Sequence, residues 1–160
     1  MAEPISIVIT GASGFVGRHF LEHIRDHYTV FAIARRSARE AGVQDHPNIH
    51  WIQWDIANRQ HMSAVLAKIS REGGADFLFH LAAFYDFNYT DDISYQRTNI
   101  DGTRNVIDLA RELKVKRFLF ASSLAASRFP EKGKQISEKS PVDADFAYER
   151  TKRAGEEMVL

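Results

Sequence analysis

The sequence contains no cysteine, so disulfide bonds, thiolate catalysis and cysteine-ligated zinc are excluded. It also has no excess of charge, because 21 lysine and arginine residues balance 21 aspartate and glutamate residues. This balance argues against binding to nucleic acid or to an acidic membrane through bulk electrostatics. We therefore expect a small molecule as the main partner.

Long apolar runs are absent as well. The longest run, around residues 77–85, is interrupted by His80 and is much shorter than the roughly 20 residues that a membrane-spanning helix needs. The first six residues include Glu3 and have no basic cluster before an apolar segment, so no secretory signal is visible. We expect no membrane association and, since cysteine is also absent, a cytoplasmic location.

The residues that are present favour one globular domain. The length of 160 residues is typical of a single domain. Hydrophobic residues make up 44% of the chain, which is enough to form a sizeable core. We expect one domain over residues 1–160.

Five short apolar segments predict buried strands, and segments with helical spacing alternate with them. The predicted strands are residues 5–10, 30–34, 50–54, 77–81 and 117–122; the predicted helices follow the first strand, cover residues 62–69 and 100–113, and begin again near Phe146. Strands that alternate with helices pair in parallel through right-handed crossovers. The sequence therefore predicts an α/β fold, a Rossmann-like doubly wound parallel sheet.

The chain ends only about three turns into the last predicted helix. A doubly wound sheet is not complete at that point. We expect further C-terminal strands to be missing, so that residues 1–160 form an incomplete domain.

Three glycines lie at the predicted junction between the first strand and the first helix. Such glycines permit a tight turn, let backbone N–H groups approach a pyrophosphate and let the helix pack close to the strand. The candidate cofactor-binding residues here are Gly11, Ser13, Gly14, Phe15, Val16 and Gly17. The spacing G-x-x-G-x-x-G differs from the G-x-G-x-x-G fingerprint, and a purely structural turn is the alternative.

Two arginines follow the second predicted strand. No acidic residue occurs between Tyr28 and Arg39, where dinucleotide sites specific for NAD place an acid that binds the ribose 2′-hydroxyl. Guanidinium groups pair well with phosphate, so Arg35 and Arg36 favour NADP, with Ser37 as a further contact. NAD is the alternative cofactor if these arginines are only solvated loop charges.

Tyr148 and Lys152 lie four residues apart in the last predicted helix and therefore on one face. Lowering the tyrosine pKa from near 10 by about 3 units requires roughly 4 kcal/mol of stabilisation of the phenolate. Lys152 and a cationic nicotinamide together would supply it. The pair predicts acid–base chemistry.

Taken together, these motifs resemble the N-terminal part of an extended short-chain dehydrogenase/reductase, the group related to nucleotide-sugar epimerases and dehydratases and to 3β-hydroxysteroid dehydrogenases. The matching stretches are residues 10–17, Asp55, residues 80–83, residues 99–103, Ser122 with Ser123, and residues 148–152. They follow the family's order and span essentially the whole chain. The resemblance implies that residues 1–160 are an incomplete NAD(P)-binding domain and that the C-terminal strands and a substrate domain are missing.

The resemblance implies a role for each matching residue. Asp55 and Ile56 would border the adenine, Ala82 and Ala83 would line the cofactor channel, and Asn99 would brace the strand that holds it. Ser123 would bind the substrate oxygen, Tyr148 would act as acid or base, and Lys152 would hold the nicotinamide ribose. Ser122 competes with Ser123, which we prefer because it lies 25 residues before Tyr148, the family's usual separation.

These residues predict an NADP(H)-dependent oxidoreductase that moves a hydride between the nicotinamide and a carbonyl or secondary alcohol. The alternatives are an NAD-dependent nucleotide-sugar epimerase or dehydratase and a dinucleotide-binding module without turnover. The resemblance also implies a homodimer through helices near residues 100–113 and 146–160.

Several other residues admit two interpretations. His19, His23 and His27 have the four-residue spacing of a metal face, but a solvent-side flank of the helix is preferred and no metal site is predicted. His80 is interpreted as a core histidine or one next to the cofactor. The aromatic residues Phe84, Tyr85, Phe87 and Tyr89 form either an apolar substrate wall or local packing.

Overall fold

Five strands alternate with helices in this computed structural model, which describes residues 4–86, 91–128, 130–143 and 145–160. The strands are β1 (Ser6–Thr10), β2 (Thr29–Ala34), β3 (Ile49–Gln53), β4 (Phe77–His80) and β5 (Arg117–Phe120). The α-helices are α1 (Phe15–Ile24), α2 (Ala38–Ala41), α3 (Met62–Arg71), α4 (Thr103–Leu113) and α5 (Ala147–Val159).

The strands form one parallel sheet in the order β3-β2-β1-β4-β5. The chain moves outwards from β1 to β3 and then returns through α3 to place β4 on the other side of β1. The direction of winding therefore reverses between β1 and β4. In open parallel sheets, ligands bind at the carboxyl ends of the strands beside such a reversal. The predicted doubly wound, Rossmann-like fold is confirmed.

Alternate side chains of each strand enter two separate apolar cores. Val8 packs with α3 and α4 on one face of the sheet, whereas Ile7 and Ile9 pack with α1 on the opposite face. Because successive side chains on a strand point to opposite faces, a strand buried on both faces must be apolar at every position. This is why the strands read as continuous apolar runs.

The helix that contains α4 begins earlier than the sequence predicts. A π-helical segment, Tyr95–Gly102, leads directly into α4, whereas the three- and four-residue spacing predicted a helix only from Ile100. The wider turn does not follow that spacing. Gly102 lies against the Ile56 side chain, where a Cβ would come within 2.8 Å of it.

The other predicted boundaries agree with the structure to within two residues, and the short helix α2 was missed. Ser37 caps α2 in a reciprocal capping box with Glu40. Residues 130–143 form neither helix nor strand, in agreement with the predicted long connection. In the described part of the chain, no helix is long and apolar enough to cross a membrane.

Candidate active site

The turn between β1 and α1 is built by contacts that only glycine permits. Gly11 has φ +76, and a Cβ there would lie 2.7 Å from the backbone nitrogen of Ala82. A Cβ at Gly17 would lie 2.3 Å from the carbonyl oxygen of Gly11. Gly17 therefore serves the close packing of α1 on the turn, whereas Gly11 brings the turn against the end of β4.

Gly14 caps the N-terminus of α1 with extended backbone. The first N–H groups of a helix have no partner within it and carry partial positive charge, which favours an anion. The side chains of Phe15 and Val16 are 72% and 61% exposed, respectively, and neither lines the cleft beside the turn. Any contact of these two residues with a cofactor would therefore be made by their backbone.

A cleft of about 640 Å³ opens at the carboxyl ends of β1, β2, β3 and β4. It brings together most of the predicted cofactor-binding residues. The predicted ones among its lining are Gly11, Ser13, Gly14, Arg35, Arg36, Asp55, Ile56, Ala82 and Ala83. Thr98 and Gln53 also line it, and the sequence motifs did not indicate either residue.

The two arginines after β2 have different surroundings. Arg36 donates a hydrogen bond from its guanidinium to the carbonyl oxygen of Ser13 at 2.7 Å, so it ties the end of β2 to the glycine turn. Arg35 lines the same cleft, and its guanidinium has no hydrogen-bonding partner within the described ranges. Arg35 is therefore the free cation of the pair, and Arg36 is partly a structural clamp.

An acidic residue, Glu40, lies at this end of the cleft as well. The carboxylate accepts hydrogen bonds from the backbone nitrogen and hydroxyl of Ser37 at 2.8 and 2.7 Å. These bonds, with the charge of Arg36, lower the pKa of Glu40. Glu40 lies directly after the stretch without acids that ends at Arg39, and the capping-box spacing S-x-x-E from Ser37 indicates it. Ser37 is thus engaged with Glu40.

Asp55 follows β3 and pairs with Arg97 from the π-helical segment. It also accepts a hydrogen bond from the backbone nitrogen of Ala57 at 3.1 Å. The neighbouring Ile56 is buried in the core, so that the cleft meets the edge of its side chain. Arg97 thus contacts a lining residue of the cleft, and the motifs did not indicate it.

His80 is buried at the end of β4 between two threonines. Nδ1 lies 2.6 Å from the hydroxyl of Thr10, and Nε2 lies 2.9 Å from the hydroxyl of Thr103. Burial, with a further contribution from Lys152, lowers the pKa of His80 to about 3. His80 is therefore a neutral core residue that links β1, β4 and α4.

Asn99 braces the segment after β4. Its amide oxygen accepts a hydrogen bond from the backbone nitrogen of Phe84 at 2.6 Å, and its amide nitrogen donates to the carbonyl oxygen of Phe84 at 3.0 Å. The same nitrogen donates to Thr151 of α5 at 3.0 Å. Asn99 thus joins the π-helical segment to both neighbours, and it is not among the residues that line the cleft.

A second cleft, of about 710 Å³, contains Ser123 and Tyr148. The rest of its lining is Tyr85, Tyr95, Ala125, Phe146, Ala147 and Glu149. Burial raises the pKa of Tyr148, and a side-chain hydrogen bond with Ser123 opposes that rise. The structure thus brings the predicted serine and tyrosine together in a largely aromatic cleft.

Lys152 lies one turn beyond Tyr148 on α5 and is 3% exposed. Its ammonium donates a hydrogen bond to the carbonyl oxygen of Ala121 and lies 4.2 Å from the centre of the Phe120 ring. Burial lowers the pKa of Lys152 to about 8, and Glu156 opposes this effect. Burial of the phenol dominates and raises the pKa of Tyr148 in the chain by itself. The lowering of this pKa by Lys152 together with a cationic nicotinamide stays a prediction.

The structure gives different surroundings to the remaining candidates, which are the histidines of α1 and the aromatic residues after β4. His19 and His23 are exposed on α1, and the described residues contain no cluster of three metal-ligating side chains. Phe84 packs on Tyr95, and Tyr85 packs on Tyr148 and lines the second cleft. Phe87 and Tyr89 lie outside the described residues. The predicted aromatic wall therefore includes Tyr85, whereas Phe84 is local packing.

Comparison with known proteins identifies the relatives of this chain. The family model for the NAD dependent epimerase/dehydratase family matches residues 7–160. A putative dihydroflavonol 4-reductase from Synechocystis sp. is 31% identical over 159 residues, which cover 95% of this chain and 43% of the relative. The UDP-glucose 4-epimerase of Caenorhabditis elegans is 27% identical over 96% of this chain and 48% of the relative.

Solved structures agree with this relationship. A crystal structure of UDP-galactose 4-epimerase is 27% identical, with a TM-score of 0.77, and the match covers 96% of this chain and 50% of that chain. The UDP-glucose 4-epimerase from Brucella ovis in complex with NAD has a TM-score of 0.81 at 23% identity, over 96% of this chain and 46% of that chain, and supports the fold alone. The chain spans about half the length of these relatives.

Proposed function

Because this chain belongs to the NAD dependent epimerase/dehydratase family, we propose that it is the cofactor-binding part of an NADP(H)-dependent oxidoreductase that acts on a carbonyl or a secondary alcohol. The observation that carries the proposal is that Ser123 and Tyr148 line the same aromatic cleft, one helical turn from the buried ammonium of Lys152. These are the groups that proton transfer at a substrate oxygen requires.

The first cleft fits a dinucleotide. Gly11 approaches the backbone of Ala82 so closely that no side chain fits between them, and the N-terminus of α1 offers free N–H groups to a pyrophosphate. Ser13, Gly14 and the backbone of residues 15–17 would surround that pyrophosphate. Asp55 and Ile56 would border the adenine, and Ala82 and Ala83 would line the channel.

Arg35 supports NADP as the cofactor. Its guanidinium is free to pair with a ribose 2′-phosphate, and Arg36 adds positive charge while it holds the glycine turn. Glu40 would oppose a phosphate, but its carboxylate is turned towards Ser37 and is partly neutralised by Arg36. The balance of two cations against one engaged carboxylate favours the phosphorylated cofactor.

Residues of this chain would carry out the proton transfer to the substrate oxygen. Because burial raises the pKa of Tyr148, its hydroxyl is protonated near pH 7 and is suited to donate to the oxygen of a carbonyl undergoing reduction. Ser123 would hold the same oxygen in place, and Lys152 would stabilise the phenolate that remains. The bound nicotinamide supplies or accepts the hydride.

The lining of the second cleft supports a reductase or dehydrogenase over a nucleotide-sugar enzyme. Tyr85, Tyr95 and Phe146 are aromatic, and no lysine, arginine or histidine lines this cleft within the described residues. The charged residue there, Glu149, accepts a hydrogen bond from the backbone nitrogen of Phe146 at 2.7 Å. Such a lining suits a ring-bearing carbonyl better than a sugar with many hydroxyl groups.

An NAD-dependent epimerase or dehydratase is the second candidate, supported by the similarity to UDP-galactose 4-epimerase and UDP-glucose 4-epimerases. In that case Glu40 would take the place of the acid that binds the ribose hydroxyls of NAD. A homodimer through helices near residues 100–113 and 146–160 and a cytoplasmic location stay predictions.

Cofactor titration tests the proposal. NADPH and NADH would be added to the wild type, to Arg35→Asp and to the control Arg39→Asp, which makes the same charge change outside the cleft. Nicotinamide fluorescence and thermal shift would report binding, since a ligand that binds only the native state stabilises it. We expect Arg35→Asp to weaken NADPH binding by about 10- to 100-fold, the equivalent of losing a charge-assisted hydrogen bond of about 1.5–3 kcal/mol.

The titrations of the control variant and those with NADH show whether the NADP assignment holds. Arg39→Asp should bind both cofactors as the wild type does, and Arg35→Asp should leave NADH binding nearly unchanged. An equal loss for both cofactors, or a wild-type preference for NADH, would overturn the NADP assignment and favour the second candidate. If neither cofactor bound, the dinucleotide site itself would be wrong.

A further inference from the structure

Four consecutive residues at the end of β5 each contact α5. The pairs are Phe120 with Gly155, Ala121 with Lys152, Ser122 with Glu156, and Ser123 with Tyr148, which line the same cleft. Two of these pairs contain the proposed reacting groups. The pair of Ser122 with Glu156 has no role in the chemistry proposed above.

We propose that Glu156 is a positioning residue of this site. Its carboxylate accepts the hydroxyl hydrogen of Ser122, which fixes the end of β5 beside α5 so that Ser123 faces the cleft that contains Tyr148, and its negative charge lies one helical turn beyond the ammonium of Lys152 on α5. The inference rests on the proposed function only in assigning Ser123, Tyr148 and Lys152 as the reacting groups. The contacts themselves are independent of that assignment.

Geometry explains why a hydroxyl one residue away can aim Ser123. Tyr148 and Glu156 are eight residues apart on α5, which corresponds to roughly 12 Å along the helix axis. Ser122 and Ser123 are neighbours, and Ser123 has extended backbone with φ −150 and ψ 144. Neighbouring side chains on extended backbone point in opposite directions. The contacts of Ser122 with Glu156 and of Ser123 with Tyr148 therefore fix both the orientation of the strand end and its position along α5.

The second proposed effect of Glu156 is electrostatic and acts on Lys152. The groups that face Lys152 are the Phe120 ring and the carbonyl oxygen of Ala121 from β5, His80 from β4, and Tyr148 and Glu156 from its own helix. His80 is neutral, since its pKa is about 3, and Tyr148 is protonated. Within the described residues, Glu156 is thus the acid whose charge opposes the desolvation of Lys152.

The location of the Ser122–Glu156 contact argues against a purely structural role. Ser122 is exposed and Glu156 is only half-buried, so the contact fills no core position. Hydrogen bonds and charge pairs at such positions contribute little to folding stability. Removing the charge of Glu156 should therefore change the site much more than it changes stability.

NMR titration of the 160-residue chain tests the proposal without cofactor or turnover. The variants are Glu156→Gln, Ser122→Ala and the control Glu157→Gln, which removes the same charge from the exposed neighbouring residue. Carbon-13 labelled lysine and tyrosine report the two pKa values, and Lys152→Arg and Tyr148→Phe assign the signals. Thermal unfolding of each variant checks that the fold is retained.

We expect Glu156→Gln to lower the pKa of Lys152 by about 0.5–1 unit, as the loss of a nearby opposite charge does. Glu157→Gln should leave that pKa within about 0.2 unit of the wild type, since exposed charges are screened. Ser122→Ala should raise the pKa of Tyr148, because the end of β5 that carries Ser123 then loses its hydrogen bond to α5. Melting temperatures should remain close to the wild type.

Three results would each overturn the proposal. An unchanged Lys152 pKa in Glu156→Gln, or an equal shift in Glu157→Gln, would contradict the effect of charge. An unchanged Tyr148 pKa in Ser122→Ala would contradict the effect on Ser123. Failure of the proposed function is a separate observation, because the chain would then bind neither NADPH nor NADH while the titrations still followed Glu156 and Ser122.

Discussion

The glycine turn after β1 and the end of β5 both hold a strand close to a helix, but they do so by opposite means. At the turn, Gly11 and Gly17 bring backbone against backbone, and no Cβ fits at either position. At the end of β5, the side chains of Phe120, Ser122 and Ser123 and the carbonyl oxygen of Ala121 meet side chains of α5. A site built from backbone tolerates no change in size, whereas a site built from side chains can be adjusted one residue at a time.

The largest expected difference between the two regions is steric. Gly17→Ala places a Cβ 2.3 Å from the carbonyl oxygen of Gly11, which cannot move without distorting the turn, and should destabilise the fold by about 3 kcal/mol. Gly155→Ala places its Cβ 2.4 Å from the Phe120 ring, which can turn aside. Since alanine also favours a helix by about 1 kcal/mol over glycine, the net loss there should be only about 1 kcal/mol.

Urea unfolding of both variants measures this difference. The slope of the unfolding free energy against urea concentration should stay unchanged, so that the midpoints report stability directly. Equal losses in the two variants would contradict the distinction between a backbone-built and a side-chain-built region.

A smaller effect is expected at Asn99, which links the segment after β4 to α5. Asn99→Ala removes two hydrogen bonds with Phe84 and one with Thr151 from a buried position. Leaving the backbone groups of Phe84 unpaired should cost about 2 kcal/mol. Gln96→Ala is the matched control, since Gln96 is exposed and its amide nitrogen donates a hydrogen bond to the partly exposed Asp101. A loss as large in the control would show that Asn99 has no special role.

The smallest effect is the pH dependence that Lys152 contributes. Its pKa is about 8 in the folded chain and near 10.5 when unfolded, so the unfolded chain binds more protons between these pH values. The free energy of unfolding should therefore rise with pH, by about 1 kcal/mol between pH 8 and 9. Lys152→Met should remove this rise, and Lys68→Met, at an exposed position, should retain it. Urea unfolding at the two pH values would detect the slope, and its persistence in Lys152→Met would assign it to another group.

Much of the fold could be predicted because its signals are local. Apolar runs such as residues 30–34 must be strands buried on both faces, and the glycines at 11, 14 and 17 mark a strand-to-helix turn. The site was less predictable, since its side chains meet across long stretches of sequence. Ser122 and Glu156 are 34 residues apart, and no local spacing indicates that contact.

The burial and the contacts of individual side chains were the hardest properties to predict. The four-residue spacing of Tyr148 and Lys152 correctly indicates one helix face, but it says nothing of burial. Burial governs the result, because it raises the pKa of Tyr148 and lowers that of Lys152. The two arginines after β2 illustrate the same limit, since only the structure separates the clamp Arg36 from the free Arg35.

The π-helical segment Tyr95–Gly102 has a consequence for how this helix can evolve. A π-turn accommodates one residue more than an α-turn, so deletion of one residue within it would restore ordinary helical hydrogen bonds. The same deletion would rotate every preceding residue by about 100° around the axis. Tyr95 would leave the aromatic cleft, while Asn105 and the rest of α4 would keep their places. The π-helical turn thus keeps Tyr95 in the aromatic cleft, and the cost is a less regular backbone.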